Sequence, residues 1–241
     1  MRFFLTSDDP KSKARALTLS KKLNIEIFKK PPQKQIKEFS EDYFFTCSKG
    51  RLFLKKGLRQ NSKPIFSDFD DWAKNYDDNL LKNSTKGLPA NFSCLDLTAG
   101  FGKDALEISK VINCKSLVLV EKEAWVFELL VDGIKNISCS RAGGLLKKFK
   151  TFNMDNLEFL ESKNETFDLI YIDPMFLGVK KSKAKKHMQA LRDLSSELIP
   201  KELLKKSLDF ANYRVFVHRH KHMYALEGIV LSSTVTAQVV R

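Results

Sequence analysis

Asp173-Pro174-Met175-Phe176 directly follows the apolar run Phe167-Asp168-Leu169-Ile170-Tyr171-Ile172, which reads as a buried strand. A carboxylate, a proline carbonyl and an aromatic face therefore emerge together at a strand end. Such a set suits a planar amine whose lone pair is delocalised into its ring. Two acceptors taking its hydrogens favour the geometry for attack, while the aromatic fixes the ring plane. The chemistry indicated is methylation of an amino group, with Asp173 and the Pro174 carbonyl orienting the amine and Phe176 stacking on the base. Asp-Pro at a strand end is also an ordinary turn, so the rest of the chain must supply the context.

A second group of chemically capable residues lies upstream. Cys94-Leu95-Asp96-Leu97 breaks into Thr98-Ala99-Gly100-Phe101-Gly102-Lys103-Asp104 before a helical pattern, and Gly100 and Gly102 let the backbone approach a ligand closely. The helix start offers free N–H groups and a dipole end suited to a carboxylate or phosphate. Glu121 closes the next apolar run, Leu117-Val118-Leu119-Val120, nineteen residues beyond Gly102, where an acid accepts hydrogen bonds from both ribose hydroxyls. These positions imply a nucleoside-containing cofactor.

Gly100-Phe101-Gly102-Lys103-Asp104-Ala105 also satisfies the G-x-G-x-x-A form of a dinucleotide fingerprint, so this turn by itself leaves a nicotinamide or flavin enzyme open. The later strand ends separate the readings. Asp155 and Asn156 follow Phe152-Asn153-Met154, placed to meet an adenine edge, and Asp173-Pro174-Met175-Phe176 has no use in hydride transfer. S-adenosylmethionine (SAM), with its carboxylate at the first turn, ribose at Glu121 and adenine near Asp155, accounts for every strand end with one ligand. Capping explains each acid singly: Asp96 and Asp104 at the turn and helix, Asp155 ahead of Leu157 to Leu160. Acids at four successive strand ends in this order point instead to a ligand. No metal is expected, because a sulfonium is already an activated donor.

After Phe176, Lys180, Lys181, Lys183, Lys185 and Lys186 place five lysines in seven positions. Lysine runs are commonly solvated surface. This one adjoins the proposed target pocket, where phosphates flanking a bound nucleotide would lie and would position a nucleic acid without reading its sequence. RNA contact is therefore favoured, with Lys147-Lys148 and Arg219 to Lys221 extending the surface. A target base would have to be unstacked or single-stranded to enter. The formal net charge of +13 agrees, since it raises the local concentration of polyanions. His218, His220 and His222 alternate with Arg219 and Lys221, so on a strand the imidazoles share a face; the interleaved cations disfavour a metal there. Cys47, Cys94, Cys114 and Cys139 form no C-x-x-C pair, fit neither a zinc ribbon nor a disulfide framework, and read as reduced thiols.

The elements that must position these residues show in the apolar periodicity. From about residue 86 strands alternate with helices, the pattern of a parallel sheet covered on both faces. Strands are expected at Ser93 to Leu97, Ser116 to Val120, Lys150 to Asn153, Phe167 to Ile172 and Tyr213 to His218, with helices at Asp104 to Val111 and Ala124 to Lys135. Their carboxyl ends line one crevice, and the informative residues fall there. Residues 1–85 read as a small N-terminal α/β domain, with a strand at Phe3 to Leu5, a helix from Ser12 to Leu23 and a strand at Ile25 to Phe28. A proline-containing loop at Lys29 to Lys34 leads to a hairpin pairing Tyr43 to Thr46 with Arg51 to Leu54 about Lys49-Gly50.

The expectation is thus an α/β protein: a Rossmann-like SAM-dependent methyltransferase sheet over residues 86–241 behind the 1–85 domain. A chain of 241 residues with 43% hydrophobic content sustains such a core. No apolar run reaches the roughly 18 residues of a membrane span, and Met1 to Asp9 turns acidic too early for a signal peptide. A cytoplasmic protein without a membrane partner is expected.

With these residues in view, the sequence resembles the ribosomal RNA small subunit methyltransferase J family, guanine-N2 methyltransferases that use SAM on bacterial small-subunit (16S) rRNA. Asp96-Leu97-Thr98-Ala99-Gly100-Phe101-Gly102-Lys103-Asp104-Ala105 is similar to the family's D-A-T-A-G-L-G-R-D-A turn, and Tyr171-Ile172-Asp173-Pro174-Met175-Phe176 to its Y-L-D-P-M-F. Lys185-Lys186-His187-Met188 is similar to its K-K-E-M, and Pro64-Ile65-Phe66-Ser67-Asp68-Phe69 to its G-I-F-V-D-F. The resemblance implies cofactor contacts at Lys103 and Asp104, at Glu121 and Lys122, at Asp155 and Asn156, and at Asp173, and a partner in ribosomal RNA or the small ribosomal subunit. The chain also departs from the family. Serines are usual where Asp155-Asn156 stand, and a glycine- and arginine-rich stretch is replaced by Asp70-Asp71-Trp72-Ala73-Lys74-Asn75-Tyr76-Asp77-Asp78. The end at Val239-Val240-Arg241 falls short of the family's last strand, so an incomplete closing hairpin is expected.

Guanine is supplied by the resemblance only. From the residues themselves two other readings stay open: a methyltransferase for another amino group, adenine N6 or a protein amide, and a non-catalytic RNA-binding protein on a methyltransferase fold. The altered Asp70 to Asp78 stretch keeps the last alive.

Overall fold

The computed structural model describes residues 3–29, 33–58, 63–75, 79–173 and 201–218. Near the amino terminus β1 (Phe3–Ser7) leads into α1 (Pro10–Leu23). Asp9 caps that helix by accepting the Ser12 N–H, with Pro10 in the first turn and Asn24 ending it in the left-handed region at φ 52°. β2 (Tyr43–Ser48) and β3 (Arg51–Lys56) form a hairpin whose turn residues Lys49 and Gly50 both have positive φ, the conformation that matches strand twist in a two-residue loop. β1 pairs parallel to β2 and β2 antiparallel to β3. The strand expected at Ile25 to Phe28 is a single bridge, Leu5 to Ile27: only the N–H groups of Leu5 and Phe28 engage across it, at 2.9 and 2.8 Å.

Two short helices, α2 (Phe69–Asn75) and α3 (Asn79–Ser84), lead to the larger sheet. Its elements are β4 (Phe92–Asp96), α4 (Lys103–Ser109), β5 (Cys114–Glu121), α5 (Ala124–Lys135), α6 (Ser140–Leu146), β6 (Phe149–Asn153), α7 (Asn156–Ser162), β7 (Phe167–Ile172), α8 (Lys201–Asp209) and β8 (Ala211–Val217). All the pairings are parallel, in the order β6-β5-β4-β7-β8. The chain starts in the middle, runs outward through β5 and β6, then returns to the other side of β4. The switch in strand order lies between β4 and β7, where open α/β sheets bind ligands.

The strand period of two divides the core. Cys94, Leu117, Leu119, Leu169 and Tyr171 face one cluster, which α4 and α5 complete through Leu106, Ile108, Leu129 and Leu130. Leu95, Val118, Val120, Ile170 and Ile172 face another, closed by Phe159 and Leu160 of α7 and Leu203 and Leu204 of α8. Both faces of the central strands are covered, which is why the middles of β4, β5 and β7 carry apolar residues on both sides rather than alternating. The first cluster also contains Leu5, Phe45, Leu52 and Leu54 of the small sheet. Asp132 of α5 ties that helix to the small N-terminal unit, accepting the Leu52 N–H of β3 at 3.0 Å and pairing with Arg15 of α1 at 2.6 Å. No helix among the described residues is long and apolar enough to cross a membrane.

Candidate active site

The turn after β4 is held open by backbone bonds that reach both neighbouring strands. Leu97 N–H donates to the Tyr171 carbonyl at 3.0 Å, and Ala99 N–H to that of Val120 at 3.1 Å. Asp96, buried at the strand end, accepts the Thr98 N–H at 2.9 Å. Gly100 has φ +54° and a hypothetical Cβ would meet only the Thr98 carbonyl, at 3.8 Å. Gly102 is constrained differently. It precedes α4 at φ +82°, and a Cβ there would lie 2.6 Å from Leu130 Cδ1 and 2.9 Å from Phe69 Cζ. Packing behind the turn, not only ligand approach, demands this glycine.

Glu121 ends β5 against this turn. Its Oε2 accepts the Gly100 N–H and its Oε1 the Glu123 N–H, both at 2.8 Å. Burial pushes its carboxyl up to about 7, and the N–H groups of Glu123 and Gly100 only partly offset that. Each oxygen retains acceptor capacity, the property a pair of ribose hydroxyls requires. Asp96 is held well above the usual carboxylate range by burial, and the charges of Asp104, Asp173 and Glu121 add to the effect. Those acids therefore share one field, as residues at one crevice do.

Asp173 enters the same place from β7. Its N–H donates to Thr98 Oγ1 at 2.7 Å, which joins the strand end to the glycine turn across the switch point. Asp104, in the first turn of α4, accepts the Tyr171 hydroxyl at 2.8 Å. His218, directly after β8, approaches Tyr171 Oη at 3.2 Å and Asp173 Oδ2 at 3.7 Å through Nδ1. Lys103 opens α4 beside Asp104.

At the end of β6 the picture is mixed. Asp155 caps α7 through Oδ1, taking the N–H groups of Leu157 and Glu158 at 2.9 and 3.3 Å, and its Oδ2 lies 3.7 Å from Lys122. Capping thus occupies one oxygen of a candidate adenine contact. Asn156 begins the helix, and its Oδ1 is buried with no hydrogen-bond partner among the described residues. Asn153 Nδ2 donates to the Glu121 and Lys122 carbonyls at 2.8 and 3.1 Å, tying this strand end to the previous one.

The structure thus brings together Asp96, Gly100, Gly102, Asp104, Glu121 and Asp173, with Lys103, Lys122, Asp155 and Asn156 on the flanking elements. Pro174, Phe176, Lys180, Lys181, Lys183, Lys185, Lys186, Arg219, His220, Lys221 and His222 lie outside the described residues. Lys148 is not a free basic group, since its Nζ donates to the Ser109 carbonyl at 2.8 Å. Sequence reading missed three members. Thr98 and Tyr171 carry no signal of their own within their motifs, and His218 reads only as one of three alternating imidazoles; the register of β4, β7 and β8 brings them side by side. It also missed the support behind the turn: Ser67 Oγ donates to the Phe101 carbonyl at 2.8 Å, and Phe69 packs against Gly102.

The altered stretch from Asp70 to Asp78, which continues α2 from Phe69, packs and bonds within the fold where it is described. Phe69, Trp72 and Ala73 of α2 are buried. Asp70 accepts the Ser138 N–H and hydroxyl at 2.9 and 2.5 Å and the Cys139 N–H at 3.0 Å, which secures the loop ahead of α6.

Comparison with known proteins agrees with this geometry. A family model for SAM-dependent methyltransferases matches residues 33–241. A ribosomal RNA small subunit methyltransferase J from Hahella chejuensis is 30% identical over 208 residues, covering 81% of this chain and 77% of that protein. A protein of the same name from Hydrogenovibrio crunogenus is 33% identical over 141 residues, 56% of this chain and 50% of its own length. In fold, the chain is similar to a SAM-dependent methyltransferase from Neisseria gonorrhoeae, with TM-score 0.65, 18% identity and coverage of 96% and 90% of the respective chains.

SAM is accordingly the cofactor, and the residues present fit it. Glu121 keeps acceptor capacity for ribose, and the orphaned Asn156 Oδ1 is an acceptor that an exocyclic amine such as adenine's would satisfy. The chain belongs to the ribosomal RNA small subunit methyltransferase J family, within the SAM-dependent methyltransferases.

Proposed function

We propose that this protein methylates the exocyclic N2 of a guanine in small-subunit (16S) rRNA, using SAM. The observation that carries the reading is the 2.7 Å bond from the Asp173 N–H to Thr98 Oγ1. It sets the start of Asp173-Pro174-Met175-Phe176 against the glycine turn at the switch point, so an acceptor amine held at the one lies beside a donor held at the other. The cofactor supplies a methyl group already activated on a sulfonium. The protein's task is then positioning and charge.

In this reading the Asp173 carboxylate accepts one amine hydrogen and the Pro174 carbonyl the other. Directed away from the ring, the nitrogen lone pair can attack. Asp173 then takes up the proton that the methylated nitrogen releases, while Phe176 stacks on the base. Asp96, Gly100, Gly102, Lys103, Asp104, Glu121, Lys122, Asp155, Asn156 and Asp173 form the cofactor side. Lys180, Lys181, Lys183, Lys185 and Lys186 contact phosphates next to the extruded base. We assign residues 86–241 to the methyltransferase domain, residues 1–85 to a small N-terminal domain, and the protein to the cytoplasm, where its rRNA or small-subunit substrate resides.

The test is methyl transfer from SAM to small-subunit rRNA by the wild type and by Asp173→Ala. Transfer lost in the variant, with cofactor binding largely kept, supports the assignment; full activity in the variant refutes it.

A further inference from the structure

We propose that His218 is a positioning residue for Asp173, held in place by a proton chain that runs from His218 through Tyr171 to Asp104. The proposal rests on the reading of Asp173 as the group that meets the target amine. Tyr171 is fully buried and its ring stacks on Phe216, with centroids 6.0 Å apart and planes 10° from parallel, so its hydroxyl is fixed in place. That hydroxyl has a single proton, and it goes to Asp104 Oδ2 at 2.8 Å. Burial, together with the charges of Asp104, Asp173 and Asp96, pushes the phenol well above its ordinary range, so the proton stays on the oxygen.

The 3.2 Å contact between Tyr171 Oη and His218 Nδ1 must therefore be made by a proton on Nδ1, because the phenol has none left to give. Nδ1 itself stands 3.7 Å from Asp173 Oδ2, beyond hydrogen-bond reach; with its proton given to Tyr171, the imidazole confines that oxygen by contact and by the positive end of its N–H dipole. The His218 backbone is fixed too, its N–H donating to the Ile172 carbonyl at 2.8 Å. Asp173 is thus flanked on both sides: Thr98, in the turn after β4, takes its N–H, and the imidazole after β8 faces one carboxylate oxygen. A carboxylate oriented this way keeps its other oxygen for the amine. Asp104, Asp173 and His218 also bring ligand atoms within 4.8 Å of one another, a spacing that a cation could bridge. A proton on Nδ1 closes that atom to a metal.

The test uses the full chain, SAM and small-subunit rRNA. Tyr171→Phe keeps the ring but cuts the chain, His218→Phe removes the donor, and His218→Asn keeps an N–H near Nδ1. The expected result is a fall in kcat of about 10–100-fold for the two phenylalanine variants, with KM for SAM unchanged and most of the rate kept in His218→Asn. Retained SAM affinity shows that each variant is folded. Unchanged kcat in Tyr171→Phe and His218→Phe, or His218→Asn as impaired as His218→Phe, overturns the proposal. So does wild-type activity that a chelator abolishes and a divalent cation restores. Asp173→Ala in parallel separates the two levels: full activity there overturns the role of Asp173 itself, whereas loss there alone overturns only the part given to His218.

Discussion

Glu121 Oε2 accepts the N–H of Gly100 at 2.8 Å across a separation of 21 residues. One contact thus couples the end of β5 to the glycine turn after β4, and places an ionisable group whose protonation is poised near neutrality beside the candidate cofactor position.

That poise gives a pH dependence. The Glu121 carboxyl rises from 4.5 to about 7 on folding, so the folded state binds its proton more tightly than the unfolded chain. By linkage, this group's contribution to stability falls as pH rises through that window. Cofactor binding runs the other way, because ribose hydroxyls donate to the ionised form. SAM affinity measured by calorimetry is expected to strengthen as pH rises through about 7. Glu121→Gln is expected to bind about 10–100-fold more weakly, the loss of a hydrogen bond to a charged group, and to show no such pH dependence. A flat profile in the wild type would contradict the assignment.

Gly102→Ala places a side chain where φ is +82° and where Leu130 and Phe69 leave no room. The cost is about 1–3 kcal/mol from the backbone alone, or about 2–4 °C in Tm for each kcal/mol in a chain this long. Gly100→Ala meets only the Thr98 carbonyl and should cost less. Thermal unfolding of the two variants checks the order; a smaller loss at Gly102 than at Gly100 would show that the packing behind the turn is not the constraint.

Asp70 offers a test of the departure from the family. Burial works against its charge, but the Ser138 hydroxyl and the N–H groups of Cys139 and Ser138 together hold its carboxyl below the ordinary range. Its contribution is therefore present above the ordinary carboxylate pKa and lost as pH falls through the lowered one. Asp70→Ala should cost about 1 kcal/mol in chemical denaturation, as the loss of a capping side chain does, with kcat unchanged. A drop in kcat at constant stability would instead give Asp70 a part in substrate contact.

The sheet was legible because its signal is local. The run Phe167 to Ile172 is apolar on both faces and its bounds as a strand are those expected; Ala124 to Lys135 carries its helical period in the same way. Ile25 to Phe28 has strand-forming residues too, yet it finds only Leu5 to pair with, a matter of available partners that local sequence does not encode. The acids of the site could be named one by one from strand ends. Their grouping with Thr98, Tyr171 and His218 could not, since it depends on the register of Tyr171 against Asp96 and Phe216. Asp155 shows the opposite limit: capping and ligand contact predict the same residue type at the same place, and the side chain makes the cap.

The most direct measurement is to incubate small-subunit rRNA with the protein and SAM carrying a deuterated methyl group, digest the RNA to nucleosides and locate the label by mass spectrometry. The account predicts labelled N2-methylguanosine from the wild type and none from Asp173→Ala. Label in another nucleoside, or equal labelling by the variant, would contradict it.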